Sequence, residues 1–352
     1  MVRSLLNNGI REVFWLNPYY ARLPRWRDLY RRRSNYNQKT APLDHVQVRQ
    51  VPALPLEPLP ILSRLNSLAW RRLLLEVRKF VEGGGYILGI GRPVRLGITL
   101  LRNLQPKWSF YDAMDDFPEF HSGLSKRAMA SHEEAIAHAV DTVIVSSTYL
   151  QEKFQGVGLR PRLIHNGCEI ELGPSSSRCR HVPPVLGYIG TMGSWFDWDL
   201  VCGIAEKLPS IVIRLVGPVF EPPGREVPRN IEILPPCSHA EAGDHIAGFS
   251  AGLIPFKVNT LTRGVDPIKY YEYRSLGLPV LTTRFGEMRL RNASDGVFFL
   301  DDGEAISSLL AKAFRWTSGL AEDEPLLFNS QNSWNFRFSG LIPPRYAEDH
   351  GS

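Results

Sequence analysis

The stretch from Ala251 to Thr283 constrains the fold of this chain most, because it reads as a strand, a helix and a second strand in succession. Ala251–Phe256 is an apolar run of strand length, and Val280–Thr283 is another. Gly277, between them, is typical of a helix C-terminus. A strand, helix and strand in this order predict a parallel sheet, with a ligand site at the N-terminus of the helix.

The helix in this stretch carries two charged residues suited to a nucleotide ligand. We expect Asp266 to cap the helix and Pro267 to take its first position. Lys269 would lie in the first turn, where free N–H groups and the helix dipole favour phosphate. Glu272 follows on the same face, where its carboxylate could accept two hydrogen bonds from a ribose diol. The alternative is a solvated ion pair between Lys269 and Glu272.

Length and composition are typical of a globular protein with two domains. The chain has 352 residues, of which 43% are hydrophobic and 22% are charged. It contains no uncharged apolar run of about 18 residues, and its start lacks the apolar core of a secretory signal. The four cysteines match neither a metal-binding spacing nor a dense disulfide framework. We therefore expect reduced cysteines in a cytoplasmic protein, with no metal site.

Strands and helices alternate along both halves of the chain, which predicts an α/β fold with two similar domains. We expect an N-terminal domain over residues 1–174, a C-terminal domain over 183–330 and a terminal helix plus tail over 331–352. Ser175–His181 reads as the linker. A nucleotide-binding fold usually opens with a strand, whereas Met1–Asn8 reads as the end of a helix. We therefore expect the first strand to be missing, or the start codon to be placed too far downstream.

Two basic segments point to an anionic partner. Residues 1–33 hold eight arginines against Glu12 and Asp28, and this charge favours an anionic membrane surface. Nucleic acid is disfavoured, because no zinc-finger, ribonucleoprotein-type or basic-zipper motif accompanies the arginines. Ile61–Val81 predicts an amphipathic helix whose apolar stripe includes Leu65 and Leu68. That stripe would pack against the sheet or, alternatively, dock shallowly on a bilayer.

Glycines spaced by three, Gly187, Gly190 and Gly193, stand where a strand meets a helix. Backbone amides in such a turn could face a phosphate or sugar oxygen. The spacing is not the dinucleotide pattern G-x-G-x-x-G, which disfavours a dehydrogenase. No Walker loop is present, so an ordinary kinase or ATPase has no support.

Three carboxylates, Asp112, Asp115 and Asp116, stand at the end of a predicted strand in the first half. One of them could accept a proton from a substrate hydroxyl. They could equally cap a helix or bind backbone amides. The sequence does not choose between Asp115 and Asp116.

These motifs together resemble bacterial glycosyltransferases of the GT-B fold, in the group that includes glycosyltransferase family 4. PFKVNTLTRGVDPIKYYEYRSLGLPVLTT looks like their donor-site segment, and GYIGTMGSWFDWDLV looks like the opening of their C-terminal domain. YDAMDDFPEF, VIVSSTYL and LIHNG look like pieces of their N-terminal domain, and SWNFRF resembles their terminal segment. The resemblance covers nearly the whole chain and implies two Rossmann-like domains facing a cleft.

The resemblance also implies roles for individual residues. Asp115 or Asp116 would face the acceptor. Glu272 would hold the ribose, and Lys269 with the preceding backbone would hold the diphosphate. The full set implied for the donor is Gly190, Thr191, Gly193, Pro236, His239, Arg263, Gly264, Val265, Asp266, Pro267, Ile268, Lys269 and Glu272.

The chain departs from that family at two places. Many members carry a glutamate eight positions before the one that matches Glu272, and this chain has Gly264 there. The common lysine after the first glycine turn is also absent, and Trp195–Asp197 stands in its place.

The function indicated by sequence is transfer of a sugar from a UDP- or GDP-sugar to a saccharide or lipid-linked saccharide, in envelope or exopolysaccharide assembly. The resemblance implies a retaining hexosyltransferase without a tightly bound cofactor, whereas an inverting one would use Asp115 or Asp116 as base. We expect it in the cytoplasm, peripheral on the inner membrane face. The alternatives are a non-catalytic nucleotide-sugar-binding protein and a sugar-nucleotide epimerase of the same architecture.

Overall fold

The structure, a computed structural model, describes residues 2–19, 21–23, 44–59, 64–170 and 183–343. The predicted linker Ser175–His181 lies outside the described residues. The chain divides into two compact units. The first takes in the described residues of Met1–Ser146 and Phe338–Ser352, together with Leu150–Ile164. The second takes in Ser147–Tyr149 and the described residues of His165–Arg337.

The first unit is built on parallel strands. Its strands are β1 (Val13–Asn17), β2 (Val46–Gln50), β3 (Ile87–Ile90), β4 (Trp108–Ala113), β5 (Thr142–Val145) and β6 (Arg162–Leu163). The last four form one sheet in the order β3-β4-β5-β6, and β1 pairs with β2 in a separate two-stranded sheet. Strand β4 is buried along its whole length. Asp112 lies next to its C-terminal end, at the edge of the sheet.

Helices pack with this sheet and share its buried apolar side chains with the strands and loops. They are α1 (Val2–Asn7), α2 (Arg64–Ala69), α3 (Arg71–Val81), α4 (Arg95–Asn103), α5 (Gly123–Ala137) and α6 (Thr148–Gln155), whose first two residues fall in the second unit. Helices α3, α4 and α5 contribute Leu73, Leu100 and Met129 to one core cluster.

The predicted helix over Ile61–Val81, whose residues 61–63 lie outside the described ranges, is confirmed in part. Leu73 and Val77 of its predicted apolar stripe are buried. Leu65 and Leu68, expected to pack inward, are 47% and 56% exposed. The buried side chains are instead Asn66, Trp70 and residues further along α3. The reason lies in the neighbouring proline-rich segment, whose backbone must find hydrogen-bond partners when covered.

Two side chains of the helix supply those partners. The Asn66 amide donates to the carbonyl of Leu54 (3.0 Å), and its oxygen accepts from the Leu54 N–H (2.8 Å). The Trp70 indole donates to the carbonyl of Pro52 (2.9 Å). These bonds turn Asn66 inward, and the leucines on the opposite side therefore face outward.

The second unit holds a single six-stranded parallel sheet. Its strands are β7 (Val185–Ile189), β8 (Val212–Val216), β9 (Ile231–Leu234), β10 (Ala251–Ile254), β11 (Val280–Thr282) and β12 (Val297–Phe299). Its helices are α7 (Trp198–Lys207), α8 (His239–Ala247), α9 (Ile268–Ser275), α10 (Ile306–Ser318), α11 (Glu324–Asn332) and α12 (Trp334–Phe338), which ends in the first unit. The predicted strand-helix-strand unit is confirmed as β10, α9 and β11, and the φ of +67° at Gly277 ends the helix.

Candidate functional site

The strand order of the second unit places a crevice between β7 and β10. The sheet runs β12-β11-β10-β7-β8-β9. The chain moves outward from β7 through β8 to β9, then returns to the other side of β7 and moves outward again from β10. Loops leaving β7 and β10 therefore diverge, and in open α/β sheets ligands bind in the crevice at such a switch point.

Lys269 reaches this crevice from the first turn of α9. Its Nζ lies 5.2 Å from the ring centre of Tyr188, in β7, and 5.9 Å from that of Phe256, which follows β10. Burial lowers the pKa of the Lys269 ammonium, and the negative charge of Glu272 offsets part of that effect. A desolvated cation beside two aromatic rings and a helix N-terminus is well placed to attract a phosphate.

Gly190 makes room for this lysine. It has a φ of +137°, and a Cβ at this position would lie 2.7 Å from both Cε and Nζ of Lys269. Its N–H donates to the carbonyl of Val216 at 2.8 Å, which fixes the turn after β7. Glycine is therefore required here both for backbone conformation and for the approach of the lysine.

The other residues of the glycine motif have separate structural roles. Gly187 lies inside β7, where a Cβ would meet the ring of Phe249 at 2.1 Å. Gly193 is buried against Trp195. The half-buried Thr191 accepts a hydrogen bond from the Tyr188 hydroxyl through its carbonyl, at 2.8 Å.

Glu272 is half-buried on α9, one turn from Lys269. Within the described residues its carboxylate accepts no hydrogen bond and forms no ion pair, so the solvated Lys269–Glu272 pair is not formed. Burial raises the pKa of Glu272, and the positive charges of Lys269 and His239 offset part of this. The carboxylate is thus available to accept hydrogen bonds from a ligand.

The loop after β9 brings two further candidates to the same edge of the sheet. Pro236 and His239 are both exposed. His239 begins α8, and its ring Nε2 lies 3.2 Å from the backbone oxygen of Glu169. Both side chains are open to a ligand at this edge.

Asp266 does not cap α9, and this prediction is wrong. The helix begins at Ile268 with Pro267 in the capping position and no capping side chain. Asp266 is buried, and its carboxylate accepts hydrogen bonds from the Asn166 N–H (2.8 Å), from the Tyr271 hydroxyl (2.9 Å) and from the Arg291 guanidinium (2.8 Å). Three converging donors satisfy the carboxylate better than a helix terminus could, so Asp266 anchors the loop before α9.

The remaining loop residues are divided between surface and interior. Arg263 and Ile268 are exposed. Gly264 is buried, and its carbonyl accepts a hydrogen bond from the Ser147 hydroxyl at 2.8 Å. Val265 is half-buried, with its N–H and carbonyl both hydrogen-bonded to backbone groups.

A cavity of about 330 Å³ lies beside Gly193 at the same edge of the sheet. Its walls come from the segments that follow β7, β8 and β10, and they include Trp198, Asp199, Glu221 and Lys257. Carboxylates, an ammonium group and an indole together suit a ligand rich in hydroxyl groups.

In the first unit the structure separates the two candidate acids. Asp116 is buried and accepts a hydrogen bond from the Lys153 ammonium at 2.7 Å. Lys153 also donates to Glu133 at 2.6 Å, and Glu133 accepts from the Tyr111 hydroxyl at 3.0 Å. Burial alone would lower the pKa of Lys153, but these two carboxylates outweigh it and raise the pKa. Asp116 therefore belongs to a buried ionic network.

Asp115 is half-buried, and its carboxylate has no partner among the described residues. Burial, together with the negative charges of Asp112 and Asp116, raises its pKa to about 7. Such a carboxyl group can take up and release a proton near neutral pH. Of the two candidates, Asp115 has the properties of a general base.

Sequence reasoning missed the groups that hold these residues. Lys153 and Arg291 sit among other surface-type residues and outside every motif, and Tyr188 lies inside the GYIGTMGSWFDWDLV segment without a predicted role. Only their spatial neighbours reveal their roles. In the described ranges, no group of three or more His, Cys, Asp or Glu side chains is arranged to hold a metal ion.

No known family model matches the chain. Over 212 residues it is 25% identical to TuaH of Bacillus subtilis (strain 168), provisionally assigned as a teichuronic acid biosynthesis glycosyltransferase. This alignment covers 53% of each protein, so the chain spans about half the length of the curated relative it matches.

Solved structures resemble nearly the whole chain. Sucrose-phosphate synthase from Thermosynechococcus elongatus superposes with a TM-score of 0.65 at 14% identity, over 94% of this chain and 97% of the other. HepE of Anabaena, in complex with UDP-glucose, superposes with a TM-score of 0.57 at 16% identity, over 91% and 97%. These similarities establish the GT-B fold, which the sequence motifs predicted.

Proposed function

We propose that this protein is a glycosyltransferase that moves a sugar from a nucleotide diphosphate sugar to a saccharide or lipid-linked saccharide. The observation that carries the proposal is the pair Lys269 and Glu272, one turn apart at the β7–β10 switch point. The first is a desolvated cation, and the second is a carboxylate without a partner among the described residues. The spacing suits a diphosphate followed by a ribose. The likeness to TuaH and to HepE with bound UDP-glucose supports the same reading.

In this mechanism Lys269 and the N-terminus of α9 stabilise the negative charge that develops on the leaving diphosphate. Glu272 accepts hydrogen bonds from the ribose hydroxyls. Gly190 keeps space for Lys269, and Asp266 holds the loop that carries it. These groups supply the charge stabilisation without a metal ion.

The route taken by the acceptor proton depends on the stereochemistry. We propose a retaining hexosyl transfer, in which the leaving phosphate helps to deprotonate the acceptor hydroxyl. In an inverting transfer, Asp115 would take that proton, because its carboxylate has no partner in the described ranges and its pKa is raised to about 7.

A UDP-sugar is the donor to test first, because HepE was solved with UDP-glucose. GDP-sugars form the second set. For the acceptor we propose a cell-envelope or exopolysaccharide glycan, as the assignment of TuaH favours. We also propose that the protein works in the cytoplasm at the inner membrane face. Among the described residues no helix has the length and apolar character to cross a membrane.

The deciding experiment is calorimetry with UDP, GDP and their sugars, followed by assays of donor turnover with and without saccharide acceptors. We expect one nucleotide to bind and its sugar to be transferred. Binding without any turnover, even slow hydrolysis, would instead indicate a binding protein. An epimerised donor formed without acceptor would indicate an epimerase, and absence of binding to every nucleotide would reject the site.

A further inference from the structure

The cavity of about 330 Å³ in the second unit has walls that backbone hydrogen bonds hold together. The Met192 carbonyl accepts from the N–H groups of Phe220 (2.9 Å) and Glu221 (3.2 Å), which joins the segment after β8 to the segment after β7. The Lys257 N–H donates to the Trp195 carbonyl at 2.8 Å, which joins the segment after β10 to the same turn. The cavity is therefore preformed, as ligand sites usually are.

A pair of aromatic rings connects the cavity to the candidate nucleotide site. The ring of Phe196, which lines the cavity, packs against the ring of Tyr188 with 4.9 Å between their centres. The other neighbour of the Tyr188 ring is Nζ of Lys269, at 5.2 Å. Neither Lys269 nor Glu272 lines the cavity. The cavity is thus adjacent to the nucleotide site but separate from it.

The charged groups at the cavity are of both signs. Asp199, Glu221 and Lys257 line it with exposed side chains, and none of their charged groups has a partner among the described residues. Arg225 also lines the cavity, but its guanidinium is paired with the carboxylate of Glu206. Two carboxylates therefore stand against one ammonium group, and the site has an excess of negative charge.

These groups suit a neutral sugar ring. Carboxylates accept hydrogen bonds from hydroxyl groups, and an ammonium group donates to them. The rings of Phe196 and Trp198 add an apolar wall for the C–H face of a sugar. The volume lies at the lower end of the range for ligand sites, about 300–1,000 Å³, which favours a small ligand over a whole nucleotide sugar. The excess negative charge disfavours a phosphate or a uronate.

We propose that this cavity is a second saccharide site, which binds a neutral sugar ring separately from the nucleotide sugar. Asp199 and Glu221 would accept hydrogen bonds from the ring hydroxyls, and Lys257 would donate one. The ring would belong to the saccharide acceptor or product, and this part of the inference rests on the proposed function. The binding of the sugar itself does not.

The test is a titration of the protein with maltose, cellobiose and lactose, followed by saturation-transfer NMR. Glucuronic acid serves as the acidic comparison. We expect at least one neutral sugar to bind with a Kd in the millimolar range, because a single ring makes few contacts. We expect glucuronic acid not to bind. Saturating UDP should leave the binding of the neutral sugar unchanged, since the two sites are separate.

The first variant removes the two carboxylate charges. Asp199→Asn with Glu221→Gln should weaken sugar binding at least about tenfold and leave the affinity for UDP as in the wild-type protein. The matched control is Asp323→Asn with Glu322→Gln, which makes the same changes at two other exposed acids of the second unit. This control should bind the sugar like the wild-type protein.

The second variant fills the cavity. A Cβ added at Gly224, which lines the cavity, meets no atom within 4 Å, and the backbone there is outside the left-handed region. Gly224→Leu should therefore fold normally and abolish sugar binding. Gly203→Leu is its control, because a Cβ at this position in α7 also meets no atom within 4 Å. Circular dichroism melts check that all variants fold.

Three results would overturn the proposal. The first is that no neutral sugar binds. The second is that both cavity variants bind the sugar as tightly as their controls do. The third is displacement of the sugar by UDP-glucose but not by UDP, which would assign the cavity to the sugar of the donor. Failure of the proposed function would look different, because no nucleotide would bind while the neutral sugar still bound and responded to the same variants.

Discussion

The ammonium Nζ of Lys269 lies 5.2 Å from the ring centre of Tyr188, and this contact joins α9 to β7 across the switch point of the sheet. The ring supplies an attractive face for the cation without neutralising it. Lys269 therefore keeps its charge available for an incoming anion, although burial makes that charge costly.

The first prediction concerns proton uptake by Lys269. Burial lowers its pKa below the ordinary 10.5, and a bound diphosphate should raise it again. At pH values near the lowered pKa, nucleotide binding should therefore take up a proton, and affinity should fall as pH rises through that pKa. Calorimetry in buffers of different ionisation enthalpy measures this uptake. Lys269→Met should abolish it, Lys207→Met should not, and its absence in the wild-type protein would contradict the assignment.

The second prediction concerns Glu272. Glu272→Ala should weaken nucleotide diphosphate binding by about 1.5–3 kcal/mol, the range for a charged hydrogen-bond partner. Calorimetry measures the change, with Glu226→Ala as a control at an exposed acid of the same unit. Unchanged affinity in Glu272→Ala would remove the ribose assignment.

The third prediction tests the space reserved for the lysine. Gly190→Ala would place a Cβ 2.7 Å from Lys269 Nζ in a backbone conformation that alanine rarely adopts. We expect nucleotide affinity to fall at least about tenfold, with the lysine displaced. Gly203→Ala is the matched control, because it lies in α7 with no atom within 4 Å of the added carbon. Equal affinities in the two variants would show that Gly190 has no role in the site.

The fourth prediction separates the two aspartates of the first unit. If Asp115 is the base, Asp115→Asn should slow acceptor-dependent transfer by roughly a hundredfold or more and leave nucleotide binding unchanged. The wild-type rate should rise with pH through about 7, because the ionised carboxylate is the active form. Asp116→Asn should mainly reduce the free energy of unfolding, by about 2 kcal/mol, since Lys153 loses a buried partner. A flat pH profile with full activity in Asp115→Asn would exclude the base role and favour the retaining route.

The fifth prediction concerns the anchor of the donor loop. Asp266→Asn leaves the Arg291 guanidinium buried without its carboxylate, and it should reduce the free energy of unfolding by roughly 3 kcal/mol. Denaturant titration measures this loss. Adding Arg291→Met should recover part of it, because the unpaired charge is then removed. Additive losses in the double variant would show that the two residues do not interact.

Asp266 and Glu272 show which part of the site can be predicted from residues that are close in sequence. Both are acids on or next to one predicted helix, and sequence rules gave each a role. Spacing along the helix placed Glu272 on the face of Lys269. The same local rules predicted Asp266 as a helix cap. They take no account of Asn166 and Arg291, which are distant in sequence and donate hydrogen bonds to Asp266.

The helix over α2 and α3 shows the same limit for packing. Periodicity predicted the amphipathic segment and placed Leu73 and Val77 correctly on its buried face, but it placed Leu65 and Leu68 there as well. Asn66 and Trp70 occupy that face because a proline-rich segment beneath them needs hydrogen-bond partners. Hydrophobic pattern alone cannot weigh such a requirement against the burial of leucine.

By itself, the sequence determined the alternation of strands and helices and the β10–α9–β11 unit, because these depend on periodicity and on glycine and proline at element ends. The GT-B fold was implied by the resemblance of several sequence motifs to that family. The sequence also placed Lys269 and Glu272 together, since they are neighbours on one helix. Only the tertiary structure decided which charged groups are paired: Asp266 and Asp116 are, whereas Glu272 and Asp115 have no partner in the part of the chain that the structure describes. Pairing depends on contacts between residues that are distant in sequence, and a buried charge without a partner lowers the stability of the fold.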